Sequence, residues 1–366
     1  SINAFPEASE DTIKIGKEEK DSIDFSKPVR IVVESVDGAT KKQYRVWINV
    51  HQVNPELLPW KKQKTSMKQV FEEQKAFYVP GDAYYVFGLN VHTSGYSVSI
   101  SSDLNLTEWK AVPLNGLPAS GLKLNQMARM GSQFYLIDDA GSLYVSADGI
   151  NWNEKTLSVS VTSLMGVLKS SVNQPIEKLS MVVKDEQGNN LFATWSETDI
   201  LAVSDDKQEV PVTFPVNDFA SAGYNSMHHE RLIAGCGVDR EGNIQNVMWV
   251  TIDGLSWVVA TNKSHEFLSL RGASMAYYDN MFYLVGGIKG DKPTSDIYVS
   301  KDKGINWTKV DELKELPEDF ESRAYATLIV DENNYMMIFG GKASAVSNHA
   351  DEVWKGRINR LGFKKQ

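Results

Sequence analysis

The sequence predicts an all-β fold: a six-bladed β-propeller over residues 55–366, behind a small β module over residues 1–54. Apolar runs ending at glycine recur at about 50-residue intervals, the period of a propeller with four strands per blade. Turns made of an acid, a glycine and a following tryptophan keep the same beat. The counts agree, with 26 Gly, 9 Trp and 14 Tyr in 366 residues.

The first element is the β module. Val29 to Val36 and Gln43 to His51 read as strands around an Asp37-Gly38 turn. Tyr44, Val46, Ile48 and Val50 alternate with Arg45, Trp47, Asn49 and His51, the mark of a half-buried strand. Residues 7–22 are charged and are expected to pair weakly or to be mobile. A hairpin alone is marginal in water. The module is therefore expected to pack on the propeller or to continue a sandwich begun upstream of Ser1. Asn54-Pro55 and Leu58-Pro59 mark the junction.

The ring follows. Its apolar runs are Tyr84–Gly88, Phe134–Asp138, Leu179–Lys184, Leu232–Gly235, Phe282–Gly287 and Met336–Gly341. Their anchors at 88, 138, 184, 235, 286 and 340 are 50, 46, 51, 51 and 54 residues apart. The turns are Ser146 to Trp152, Thr251 to Trp257 and Ser300 to Trp307, with a looser copy from Ser102-Asp103 to Trp109. Asp binds its own backbone there and Gly takes a positive φ, so the chain can reverse between strands. Each Trp is expected at a blade's outer edge. Trp60 precedes Trp109 by 49 residues, and Trp60-Lys61-Lys62 resembles Trp109-Lys110-Ala111. That strand is expected beside Trp354, closing the ring. A third repeat, acid-Phe-x-Ser, begins at Asp218, Glu266 and Asp319 and is expected to be scaffold.

The composition excludes several classes. Lys and Arg total 38 against 47 Asp and Glu, a net charge of −9, which argues against nucleic acid. One Cys excludes an internal disulfide framework and a cysteine-rich zinc site. No apolar stretch approaches the ~18 residues of a membrane span. The start at Ser1-Ile2-Asn3, without Met or an apolar leader, is expected to follow processing or trimming.

These motifs carry a resemblance. The Gly-Gly strand ends with a following Trp resemble kelch-type propellers. Ser300 to Trp307 resembles the Asp box of sialidases and related propellers, and the other turns match it in part. The segment Lys27 to Val50 is similar to β modules that precede binding domains in envelope lipoproteins of Bacteroidetes. Together, residues 25–366 resemble uncharacterised kelch-like propellers of that group. The resemblance implies a periplasmic or cell-surface setting and a lipid anchor upstream of residue 1. It implies no known activity.

No catalytic signature stands out. The Arg-Ile-Pro segment of sialidases is missing, and its nearest string, Arg30-Ile31-Val32, lies in the hairpin. Galactose oxidase pairs kelch blades with a copper site that includes a Cys-crosslinked Tyr. Here Cys236 fills a diglycine position and reads as a small buried residue. His228 and His229 are adjacent, so a strand would send them to opposite faces. No metal or cofactor is expected.

A ligand would meet the loops that join second and third strands. These are residues 90–95, 238–246, 288–295 and 342–351, and they carry His92, Asp239, Arg240, Lys289, Lys292, Asn348 and His349. The starts of the inner strands add Lys123, Tyr224, Arg271, Arg323 and Tyr325. Arg271 and Arg323 read as one slot in successive blades, with Ala222 as counterpart. The competing reading pairs each Arg with an acid such as Glu266, Asp319 or Glu321. The expected function is extracytoplasmic binding or scaffolding, with glycan or protein as partner. The alternative is a carbohydrate-active enzyme, a glycosidase or lyase, at the channel mouth.

Overall fold

The computed structural model describes residues 2–6, 13–15, 27–48, 52–169, 177–198, 201–203, 209–225, 230–261, 269–343 and 350–362. The chain divides into two units, Ser1–Pro55 and Glu56–Gln366.

The first unit is one antiparallel sheet of four strands. Its spatial order is Ile13–Ile15, Ile2–Pro6, Val29–Glu34 and Lys41–Val46. The hairpin reading anticipated the last two. The turn between them is held by Asp37, whose Oδ1 accepts from the Ser35 hydroxyl and the Ala39 amide. The second hairpin strand stops at Val46, short of the expected His51, and 49–51 lie outside the described residues.

The second unit is a β-propeller. Among the described residues it contains six four-stranded antiparallel sheets in chain order, and each apolar run found in the sequence is the second strand of one of them. The first sheet runs Phe71–Val79, Ala83–Asn90, Tyr96–Ser101 and Lys110–Pro113. The second runs Ala128–Met130, Gln133–Ile137, Leu143–Ser146 and Asn153–Lys155. The third runs Ser160–Lys169, Glu177–Lys184, Asn190–Trp195 and Ala202–Val203. The fourth runs Ala220–Asn225, Glu230–Gly235, Met248–Thr251 and Val258–Val259. The fifth runs Ser274–Tyr278, Met281–Val285, Ile297–Ser300 and Thr308–Lys309. The sixth runs Thr327–Val330, Met336–Phe339 and Val353–Gly356, and takes its outer strand, Lys61–Lys62, from before the first sheet. The register there is Trp354 to Lys62 and Lys355 to Lys61.

Innermost strands of neighbouring sheets lie side by side, and that of the sixth lies against that of the first. Hydroxyls stitch the seams. Thr327 Oγ1 accepts from the Ala76 amide at 3.3 Å, and Ser274 Oγ accepts from Leu328 at 2.9 Å. The apolar core sits between sheets. One cluster joins Tyr283 and Val299 of the fifth sheet to Leu328, Ile338 and Trp354 of the sixth.

The turns explain part of the repeat. Asp148 Oδ1 accepts from the Ser146 hydroxyl at 3.0 Å and from the Ile150 and Asn151 amides at 2.8 Å. Thr251 with Asp253, and Ser300 with Asp302, repeat the pattern. The glycine of each turn touches the preceding sheet. At Gly304, with φ of 93°, an added Cβ would overlap Ile233 Cδ1 of the fourth sheet. At Gly254 it would stand 2.5 Å from Thr194 Cγ2 of the third. Only a residue without a side chain lets the turn close on its neighbour. The following tryptophans, Trp152, Trp257 and Trp307, are buried in clusters between sheets rather than covering an outer edge.

Candidate functional site

The inner strands of the fourth, fifth and sixth sheets are each preceded, two residues earlier, by a residue of positive φ: Asp218 (52°), Gly272 (65°) and Tyr325 (56°). They are chained together. The Gly272 amide donates to Asp218 O at 2.8 Å, and the Tyr325 amide donates to Gly272 O at 2.7 Å. The Tyr325 hydroxyl then donates back to Asp218 Oδ2 at 3.0 Å. Left-handed backbone at a non-glycine residue costs on the order of 1 kcal/mol and tends to gather at functional sites. Here the hydrogen-bond chain holds it.

Asp218 is the hub of the channel mouth. Asn125 Nδ2 donates to its other oxygen at 3.4 Å, and Lys75 Nζ donates to Asn125 O at 3.2 Å. Burial raises the Asp218 pKa, while Tyr325, Arg271 and Asn125 work the other way. Glu73 is pushed up to about 7, first by desolvation and then by Asp218, Glu72 and Asp139, with Lys342 opposing. The residue is exposed, and the neighbouring carboxylates of Asp218, Glu72 and Asp139 add negative charge around it. Burial alone lowers Lys75 to about 8. Groups shifted toward neutrality from both sides, gathered in one opening, mark a candidate site.

Two cavities share Tyr325. A narrow one of about 50 Å³ is lined by Lys75, Asn125, Asp218, Ser221, Ser274 and Thr327. Beside it lies a cleft of about 370 Å³ formed by Arg271, Ile288, Asp291, Pro293, Ala324 and Lys342. Its walls come from inner-strand starts and from second–third loops. The pairing of Arg271 with Ile288, and of Ala324 with Lys342, places those two kinds of segment on one face.

The cation pair expected at this mouth is separated. Leu270 and Arg323 are equivalent, because the Gly237 and Gly287 amides donate to Leu270 O and Arg323 O in successive sheets. Arg271 is therefore equivalent to Ala324, and the single-slot alignment of Arg271 with Arg323 slips by one residue. In extended chain one residue changes the face. Arg323 points into the frame at 2% exposure. Its Nε donates to Glu321 O at 2.8 Å, its guanidinium donates to Gly340 O at 3.4 Å and to Glu352 Oε2 at 3.2 Å, and it lies over the Phe320 ring. Arg271 stays half-buried in the cleft wall, and among the described residues its Nε–H is buried without a partner.

The other sequence candidates scatter. Tyr224 is buried between sheets against Tyr277 and Phe282. Lys123 donates to Thr162 O at 2.9 Å, and burial lowers its pKa against the pull of Asp139 and Asp138. Asp239 is buried and caps its own loop, accepting from the Glu241 and Asn243 amides and from Gln245 Nε2. Lys289 is exposed on the ribbon that pairs Lys289 with Lys292. His92 is exposed in the first-sheet loop. His349, Asn348 and the His228-His229 pair lie outside the described residues. Cys236 takes the place of the first glycine of a pair, at φ 57°, and burial pushes its thiol up to about 12.

Glu73, Lys75, Asn125, Asp218 and Lys342 escaped the sequence reading. Asp218 begins the acid-Phe-x-Ser repeat, so the signal was present but read as scaffold. Among the described residues no group of three or more His, Cys, Asp or Glu could hold a metal ion, and no helix is long and apolar enough to cross a membrane.

Residues 54–366 match the family described as "DUF6242 beta propeller domain". No curated protein matches the sequence. A solved structure titled "Structure of YjhT" is similar over 79% of this chain and 96% of its own, with a TM-score of 0.53 and 13% identity. At that identity the likeness concerns the fold alone.

Proposed function

Since the chain belongs to the DUF6242 β-propeller family, we propose that its propeller is a six-bladed, kelch-like ring over residues 55–366 that binds glycan at the loop-rich mouth. The outer strand at Lys61–Lys62 serves as the closure of that ring, and residues 1–54 form a separate β module. The turns at Asp148, Asp253 and Asp302 are read as Asp boxes, in a scaffolding role. The setting is the periplasm or the cell surface, with a lipid anchor upstream, a reading that rests on the resemblance of the N-terminal module. A protein partner on the same face is the competing occupant.

One observation carries the binding reading. Arg271, Tyr325 and Lys342 line a 370 Å³ cleft beside Asp218, and among the described residues the side chains of Arg271 and Lys342 are not consumed by the frame. A cleft of that size, with a few convergent polar groups on a rigid scaffold, is the usual form of a small-ligand site. The test is a glycan array with the wild type, Arg271→Gln and Lys342→Gln, the two cations that line the cleft. Wild-type binding that drops at least about tenfold in both variants supports the reading. No wild-type binding removes glycan as the ligand, and unchanged variants place the ligand elsewhere.

A second reading is favoured by Glu73 and Asp218. A carboxyl titrating at about 7 near a second carboxyl suits general acid catalysis of glycoside cleavage. New reducing ends from an oligosaccharide panel, abolished by Glu73→Gln, would favour it over simple binding.

A further inference from the structure

The basic groups around the mouth divide into two kinds. Lys75 and Lys123 donate to backbone oxygens of Asn125 and Thr162. Arg323 is bound to Glu352 and to two carbonyls. These charges hold the frame. Arg271 and Lys342 differ, for among the described residues neither side chain makes a hydrogen bond or an ion pair. Both line the same cleft. Arg271 Nε–H is buried without an acceptor among the described residues, so the frame does not use it.

We propose that this cleft binds a carboxylate carried on a sugar ring, so that the ligand is a uronate-bearing glycan. The inference rests on the binding reading above and names its ligand class. A guanidinium stays charged at physiological pH and presents a planar fork that matches a carboxylate in two-point contact. Lys342 supplies a second positive charge on the opposite loop. The Tyr325 ring, Pro293 and Ile288 give the cleft an apolar strip on which the C–H face of a sugar can lie. Asp291 is exposed at the edge and offers an acceptor to ring hydroxyls. Asp218 is the opposing charge. Both of its oxygens are engaged, by the Tyr325 hydroxyl and by Asn125 Nδ2, outside the cleft lining.

The experiment is titration calorimetry with four probes: a galacturonate trisaccharide, its methyl ester, a glucuronate trisaccharide and a sulfated disaccharide. Proteins are the wild type, Arg271→Gln, Arg271→Lys and Lys342→Gln, each first checked by thermal melting. The wild type is expected to bind the acid at least about tenfold more tightly than the ester. Arg271→Gln should erase that preference, and Arg271→Lys, which keeps the charge but not the fork, should retain part of it. Equal binding of acid and ester overturns the carboxylate, while leaving the glycan site standing if Arg271→Gln weakens both. Tighter binding of the sulfated sugar than of the uronate also overturns it. If neither galacturonate nor a glucuronate trisaccharide binds, the proposal fails; if the neutral glycans of the array fail as well, the binding reading fails with it. Should Arg271→Gln not fold, Lys342→Gln decides: a loss of at least about threefold for the acid alone supports the proposal, and no change overturns it.

Discussion

Replacing Trp60 by alanine tests whether a two-residue strand closes the ring. Trp60 is 8% exposed and belongs to the cluster of Leu58, Trp354, Ile358 and Val310 between the fifth and sixth sheets. It packs closely, since a Cβ added at Gly356 would stand 2.9 Å from Trp60 Cε3. Its Nε1 reaches Lys314 O only at 3.4 Å, so the polar contribution is small. Burial of about 200 Å² at ~25 cal/mol/Å² gives about 5 kcal/mol as an upper bound, and Trp→Ala substitutions cost about 3–5 kcal/mol. Take about 4 kcal/mol. The unit from Glu56 to Gln366 has about 310 residues, and at ~2.1 cal/mol/K each its unfolding entropy is roughly 0.65 kcal/mol/K. The midpoint should fall by about 6 °C. Calorimetry, or urea unfolding followed by circular dichroism, avoids reading a fluorophore that has been removed. Trp47→Ala is the control, because Trp47 is 59% exposed. A Trp60→Ala protein within about 1 kcal/mol of wild type would refute the closure argument.

Arg323→Ala should destabilise by about 3 kcal/mol, the low end for a broken buried pair, because Glu352 keeps Lys62 and the Trp354 indole. Arg271→Gln should stay within about 0.5 kcal/mol of wild type, and equal losses in urea unfolding would contradict the division between frame and cleft. Gly304→Ala meets both a positive φ and Ile233, so at least about 2 kcal/mol should be lost, whereas Gly242→Ala, with open space around it, should lose about 1 kcal/mol. The order of those two melting temperatures is the test. Glu73 has a folded pKa of about 7 against 4.5, so its charge penalises the folded state in full above about pH 7 and not at all below 4.5. Glu73→Gln should therefore be more stable than wild type at pH 8 and indistinguishable from it at pH 4. An identical difference at both values would rule out Glu73 as the source.

Much of the propeller was legible because its physics is local and repeated. An apolar run must be the buried second strand of its sheet, and the same Asp-Gly turn is needed wherever the chain reverses beside a neighbour. The tryptophans were visible for that reason, but their place between sheets was not, since a linear pattern does not say which neighbour covers a ring. The first unit shows a similar limit. Its hairpin follows from alternation, while Ile2–Pro6 and Ile13–Ile15 are too short to carry a period.

The sequence by itself determined the β-propeller class and the beat of its strands, and it singled out the face where loops and inner-strand starts meet. It also pointed to Arg271 and Tyr325. Only the tertiary structure decided which cations remain free. The difference between Arg271 in a cleft and Arg323 in the frame is one residue of register, and in a strand one residue reverses the side-chain direction. It decided the cluster of Glu73, Asn125, Asp218 and Tyr325 as well. Glu73 lies in the first sheet, while Asn125, Asp218 and Tyr325 come from the segments leading into the second, fourth and sixth, far apart in the chain. No local pattern encodes their meeting, because ring closure alone brings them to one opening, where burial and shared charge shift their proton affinities.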